Sequence, residues 1–398
     1  MRDATVERRE IAPLAGAAAV ATVGVLPLFL TGALAVQIKD DLGFSASGLG
    51  LATAAFFGTG ALMSAVGGRF CEALGPVRTM RLTVTTGAVA MAGIAILADS
   101  LPLLIGFLAL GGLANAVAQP AANLYLARVV PAARQGLAFG VKQAAIPAAG
   151  LLGGLAVPLV AQTAGWQWAF GAGAMFALVL DVVGPGRRGG HTFVRGRRGG
   201  DDTALRPLFV LAVGAGFGAA GAGSLGVFLV SGGVEVGLSE AGAGSLLAAS
   251  SVVGLVMRMW SGVRADRRGT RHLPVVATMM VLGVVGFAAL ASGGLVLFVV
   301  GAPIAFAAGW GWPGLFMLSI VRLNPGAPGA ATGITQTGTS AGAVVGPLVF
   351  GLLVERQSYT VAWAVAGGSL LLAAATIVLG RRLVISERAA RARRPAFS

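Results

Sequence analysis

The sequence predicts an all-α membrane protein whose twelve spanning helices form two pseudo-symmetric six-helix bundles. Three observations carry that prediction. The chain of 398 residues is 56% hydrophobic and 11% charged, with a mean hydropathy of +0.84, whereas a soluble domain is about 25% charged. Its apolar residues fall into twelve runs, each near the roughly 20 residues a helix needs to cross a bilayer. A charged, glycine-framed segment also occurs twice, 194 residues apart, which marks two homologous halves.

In chain order, the first half gives spans over 12–36, 46–67, 80–98, 101–124, 135–162 and 166–184. The second gives 205–230, 240–261, 273–291, 294–319, 329–354 and 359–380. Barrel strands do not fit, because they run about ten residues and alternate in polarity. The 63 glycines suit helices whose backbones approach closely in a membrane. An N-terminal bundle over 1–184 and a C-terminal bundle with a basic tail over 205–398 are joined by a linker, 185–204. That linker is rich in Gly and Arg and has no apolar periodicity. Its arginines suit anionic lipid, although fixing the topology is the plainer role.

The formal charge of +14 suggests nucleic acid only until its distribution is read. The basic residues sit in short loops between apolar runs, and no basic folded domain exists to hold a polyanion. The pattern is that of a multi-pass protein of the cell (inner or plasma) membrane obeying the positive-inside rule. Both termini and every second loop are then cytoplasmic. Lys39 and Arg356 fall on the other side, and Lys142 falls inside the fifth span. The first apolar run is too long for a signal peptide. The single cysteine, Cys71, lies in a turn, so no disulfide forms within the chain. No phosphate-binding loop and no His/Cys cluster occur, so ATP-driven transport, a metal, any other cofactor and an enzyme activity are not expected.

The fuller copy of the repeated segment is Gly262-Val-Arg-Ala-Asp266-Arg267-Arg-Gly269-Thr-Arg271. The other is Gly68-Arg-Phe-Cys-Glu72-Ala-Leu-Gly75-Pro-Val-Arg78. Each reads as a tight reversal between two spans, with glycine for the turn and opposite charges to pair across it. On these residues the chain resembles the major facilitator superfamily, which carries such a segment between helices 2 and 3 and a weaker copy between helices 8 and 9. Here the second copy is the better match. The resemblance implies two halves related by a two-fold along the membrane normal, inverted three-helix repeats within each, and alternating access around a central site. It also implies that Gly68, Glu72, Gly75, Arg78, Gly262, Asp266, Arg267, Gly269 and Arg271 latch the cytoplasmic face.

Polar groups inside a bilayer are costly and mark cavities or partner helices. Lys142 stands about eight residues into the fifth span, roughly 12 Å along it at 1.5 Å per residue. Its plain alternative is snorkelling back to the surface. Arg258 stands four residues before Gly262 in the eighth span, which the resemblance places beside the fifth. Arg258-Met-Trp-Ser-Gly262 is also similar to the R-x-x-x-G of monocarboxylate and oxalate/formate transporters, although the further lysines of those families are absent. Two cations with no acid deep in any span call for an anion. Asn115, Gln119 and Asn123 recur every four residues, on one face of the fourth span. Gln143 and Gln336 are related by the repeat, with Thr335 and Thr339 nearby. Trp310 and Trp312 suit either an aromatic wall or packing. His191 and His272 fall in cytoplasmic segments and read as solvated.

These residues point to a secondary transporter of a small organic anion, with substrate contacts from Lys142, Arg258, Asn115, Gln119, Asn123, Gln143, Gln336 and Trp310. An efflux carrier for a drug-like or amphipathic compound, neutral or anionic, is the alternative, since no carboxylate lies deep in a span to serve a cationic drug. A sensor on the same fold would need a signalling domain, and no stretch suggests one. The expected partners are a small molecule and the bilayer, with any coupled proton carried by the substrate or by Lys142, and the chain acting as a monomer.

Overall fold

Twelve helices are long and apolar enough to cross a membrane, and their order matches the twelve runs of the sequence. Spans 1 to 6 are Pro13–Ala33, Ala46–Met63, Pro76–Leu97, Leu101–Leu126, Gly140–Ala164 and Trp166–Val183. Spans 7 to 12 are Leu205–Glu235, Glu240–Ala265, His272–Leu290, Leu295–Leu323, Ala331–Arg356 and Tyr359–Glu387. This computed structural model describes residues 2–130, 135–183, 205–267, 272–324 and 328–392, and no strand occurs among them. The linker expected over 185–204 lies outside the described residues. An even number of spans puts both ends of the chain on one face.

The repeated charged segments are less turn-like than the sequence suggests. The helix of span 2 runs on to Leu74, so Gly68 and Glu72 are helical. The reversal is confined to Gly75, whose φ of +80° suits a residue without a Cβ, and Pro76 then starts the next helix. Gly262, Asp266 and Arg267 lie within the helix Glu240–Arg267, while Gly269 and Arg271 are outside the described residues. So are the side chains of Glu72, Asp266 and Arg267, and the latch they would form. Arg78 is exposed. Cys71 is not in a turn but in the helix, with 1% of its surface exposed. His272 is not solvated either. It begins span 9 buried, with Nε2 2.8 Å from Nη1 of Arg322 in span 10. His191 lies outside the described residues.

Two spans are interrupted where hydropathy reads them as continuous. Span 5 is a helix to Gln143, a second helix from Ala145, and a π-turn over Val157–Ala161. Span 10 is a helix to Ile304, a π-turn over Ala305–Gly309, a break at Trp310, and a new helix from Pro313. Prolines cause part of this, because they remove a backbone donor and crowd the preceding turn.

The two halves meet most closely at the face away from the termini. There a Cβ on Gly50 would lie 2.7 Å from the Pro347 carbonyl, and one on Gly351 would lie 2.4 Å from that of Ala46. Gln37 donates to Glu240 across this seam at 2.9 Å, and Ser45 to Glu355 at 3.2 Å. Further along the same two spans toward the termini, Gly58 and Gly333 have no neighbour within 4 Å of an added Cβ.

Candidate functional site

Spans 5 and 8 run antiparallel across the boundary between halves, as the resemblance implies. Gly154 fits against Gly244 and Ala248 toward one face, and Gly140 faces Arg258 and Gly262 toward the other. At the latter level Lys142 and Arg258 are 5% and 3% exposed. Lys142 therefore does not snorkel. Its Nζ donates to Gln119 Oε1 of span 4 and, at 3.4 Å, to Gln143 Oε1.

Arg258 answers a gap in the backbone. In a helix the Gln143 carbonyl would accept from the amide four residues on, but that residue is Pro147, which has none. Arg258 Nη1 donates to this carbonyl at 2.6 Å. Its Nη2 donates at 2.8 Å to the carbonyl of Trp310, which ends the π-turn of span 10. One guanidinium thus caps helix breaks in both halves. It also lies 5.7 Å from the Trp310 ring centroid, a cation–π distance. A guanidinium has five N–H groups, so three remain after these two bonds.

The amides around the pair are oriented by it. Gln119 and Gln143 both turn their oxygens to Lys142, and Gln119 Nε2 donates to Asn115 Oδ1 at 3.4 Å. Each of these amide oxygens is engaged in one bond, and Asn115 Nδ2, Gln143 Nε2 and the spare N–H groups of Arg258 remain as donors. The lining is therefore rich in donors. Among the described residues the one ion pair is Arg81–Asp181, at 3.0 Å between spans 3 and 6, so no described carboxylate balances the two cations.

Of the residues singled out in the sequence, Asn115, Gln119, Lys142, Gln143, Arg258 and Trp310 come together. Asn123 and Gln336 do not join them. Both are exposed, and no described bond links either to the cations. Trp312 is core rather than wall, 1% exposed with its ring edge-on to Phe316. Sequence reasoning missed Phe29, which stacks on Trp310 with centroids 5.6 Å apart. It also missed the backbone role of Arg258, although Pro147 four residues after Gln143 signals an orphaned carbonyl. A separate cleft of about 390 Å³ opens on the face away from the termini between Asp41, Asp99 and Trp166, remote from the cations.

Twelve spans in two halves, with a polar centre shared between them, define a membrane carrier. The Major Facilitator Superfamily model matches residues 14–210 and 208–397, and the chain belongs to that superfamily. It is a multi-pass membrane protein and a secondary transporter of small molecules that works by alternating access. No curated protein matches the chain. Among solved structures it is similar to a bacterial homologue of the human lysosomal transporter Spinster, captured in an inward-facing and occupied conformation. The identity is 17%, with 93% of this chain and 96% of that one covered and a TM-score of 0.71. At that identity the likeness speaks for the fold.

Proposed function

We propose that the protein carries a small organic anion, with a carboxylate held by Arg258 and Lys142. The observation that supports this reading is the pairing of two buried cations with a lining of donors and no described carboxylate. A buried charge without a counter-charge is costly, and a ligand carboxylate supplies one together with acceptors for the spare N–H groups. A lipophilic cation would meet the wrong sign of charge. On this reading the carrier lies in the cell membrane with both termini cytoplasmic and acts as a monomer. Any coupled proton enters with the substrate or on Lys142.

A thermal-shift panel of mono- and dicarboxylates, sugars and amphipathic cations on purified protein tests the proposal. A ligand at 100 times its Kd stabilises by about 2.7 kcal/mol. One carboxylate class is expected to raise Tm, and Lys142→Gln, which keeps a polar side chain and removes the charge, is expected to abolish the shift. Stabilisation by amphipaths alone, unchanged in Lys142→Gln, would overturn the anion reading in favour of efflux.

A further inference from the structure

Beyond the cations, toward the face away from the termini, the halves touch through aromatic rings. Phe29 of span 1 stacks on Trp310 of span 10, with centroids 5.6 Å apart and planes 23° apart. Phe306 meets the same indole edge-on at 5.4 Å. Phe29 is 4% exposed. Under the two rings lies Gly226 of span 7. A Cβ there would stand 2.5 Å from Phe29 Cε1 and 2.9 Å from Trp310 Cη2. The backbones also meet here, since a Cβ on Gly32 would lie 2.6 Å from Val227 Cα and 2.7 Å from the Gly226 carbonyl.

We infer that Phe29 and Trp310 are the gate that shuts the cation pair off from the face away from the termini, and that Gly226 is the residue whose missing side chain lets it shut. The stack joins span 1 of one half to span 10 of the other, so it must break when the halves part at that face. It sits on the far side of Lys142 and Arg258 from the termini, where a seal is needed while the site is open to the other side. Trp310 also gives its carbonyl to Arg258, so the gate is built on the residue that anchors the site. The inference rests on alternating access and holds whatever the substrate.

The two glycine contacts differ in kind, and that gives the test. Gly226 faces the ends of side chains, so truncating Phe29 removes the tightest contact and frees the Trp310 edge, no longer stacked, to yield to a methyl group. Gly32 faces backbone, so it does not. Spin labels at Asp40→Cys and Gln357→Cys, exposed positions of opposite halves on the closed face, report the separation in nanodiscs on a Cys71→Ser background. Gly226→Ala is expected to shift the main distance peak to longer values, and adding Phe29→Ala to return it. Gly32→Ala is expected to lengthen the distance with or without Phe29→Ala. A peak that Gly226→Ala leaves in place, or that Phe29→Ala fails to restore, overturns the gate. If Gly226→Ala alone does not yield folded protein, the double variant must, because relief of the tighter contact is the claim. Failure of both also overturns it.

Discussion

Arg258 carries two duties, and they separate by substitution. Its donors cover two buried carbonyls, and leaving such a group unsatisfied costs about 1–3 kcal/mol. A lysine there keeps the charge but has a single nitrogen, which does not span carbonyls on two different spans. Arg258→Lys is therefore expected to lower the Tm of ligand-free protein, and Lys142→Gln to change it less. Equal ligand-free Tm values for Arg258→Lys and wild type would contradict the capping role. The cations, Asn115, Gln119, Gln143 and Trp310 were legible because charge and amides stand out within apolar runs, although the same signal also picked out Asn123 and Gln336, which lie apart. The guanidinium–carbonyl bonds were less so, because hydropathy weighs side chains and is blind to the backbone donors that proline removes.

At the scale of one helix against another, span 11 lies in a groove of span 7. A Cβ on Gly342 would stand 1.9 Å from the Gly216 carbonyl, whereas Gly368 in span 12 has nothing within 4 Å. Alanine is favoured over glycine in a helix by about 1 kcal/mol, so the two substitutions should differ in sign. Gly342→Ala overpacks backbone against backbone, at a cost of about 1–3 kcal/mol, and should lower Tm. Gly368→Ala should leave it level or raise it. Equal Tm changes for the pair would sink this account. The existence and order of all twelve spans were readable, since crossing a bilayer demands length and apolarity that no loop supplies. Their ends and breaks were not. The charged repeat marks a motif more faithfully than it marks a turn, because Gly68 and Glu72 still have helical neighbours and Gly75 alone reverses the chain.

For the molecule as a whole, the basic residues make orientation a testable expectation. With termini inside, a cysteine at exposed Gln357 should react with an impermeant maleimide on intact cells. One at exposed Ser386, in the helix after span 12 begins its exit toward the C-terminus, should react only after permeabilisation. The reverse pattern would invert the topology. Contacts between the halves could not be read from the sequence, because Phe29, Gly226 and Trp310 lie on three different spans and nothing in their spacing links them.

The glycines at the closed seam have a consequence for how this carrier can change over evolutionary time. Gly342 packs against its own half and stays packed in every state, so a methyl group there burdens the fold. Gly32, Gly50 and Gly351 press on the opposite half and lose that neighbour when the halves part. A methyl group at any of them taxes one state and spares the other. A difference of 1–3 kcal/mol moves a two-state ratio by about 5- to 150-fold. Single-carbon substitutions at these three positions therefore retune how long the carrier waits on each side of the membrane, without touching a residue that meets the cargo.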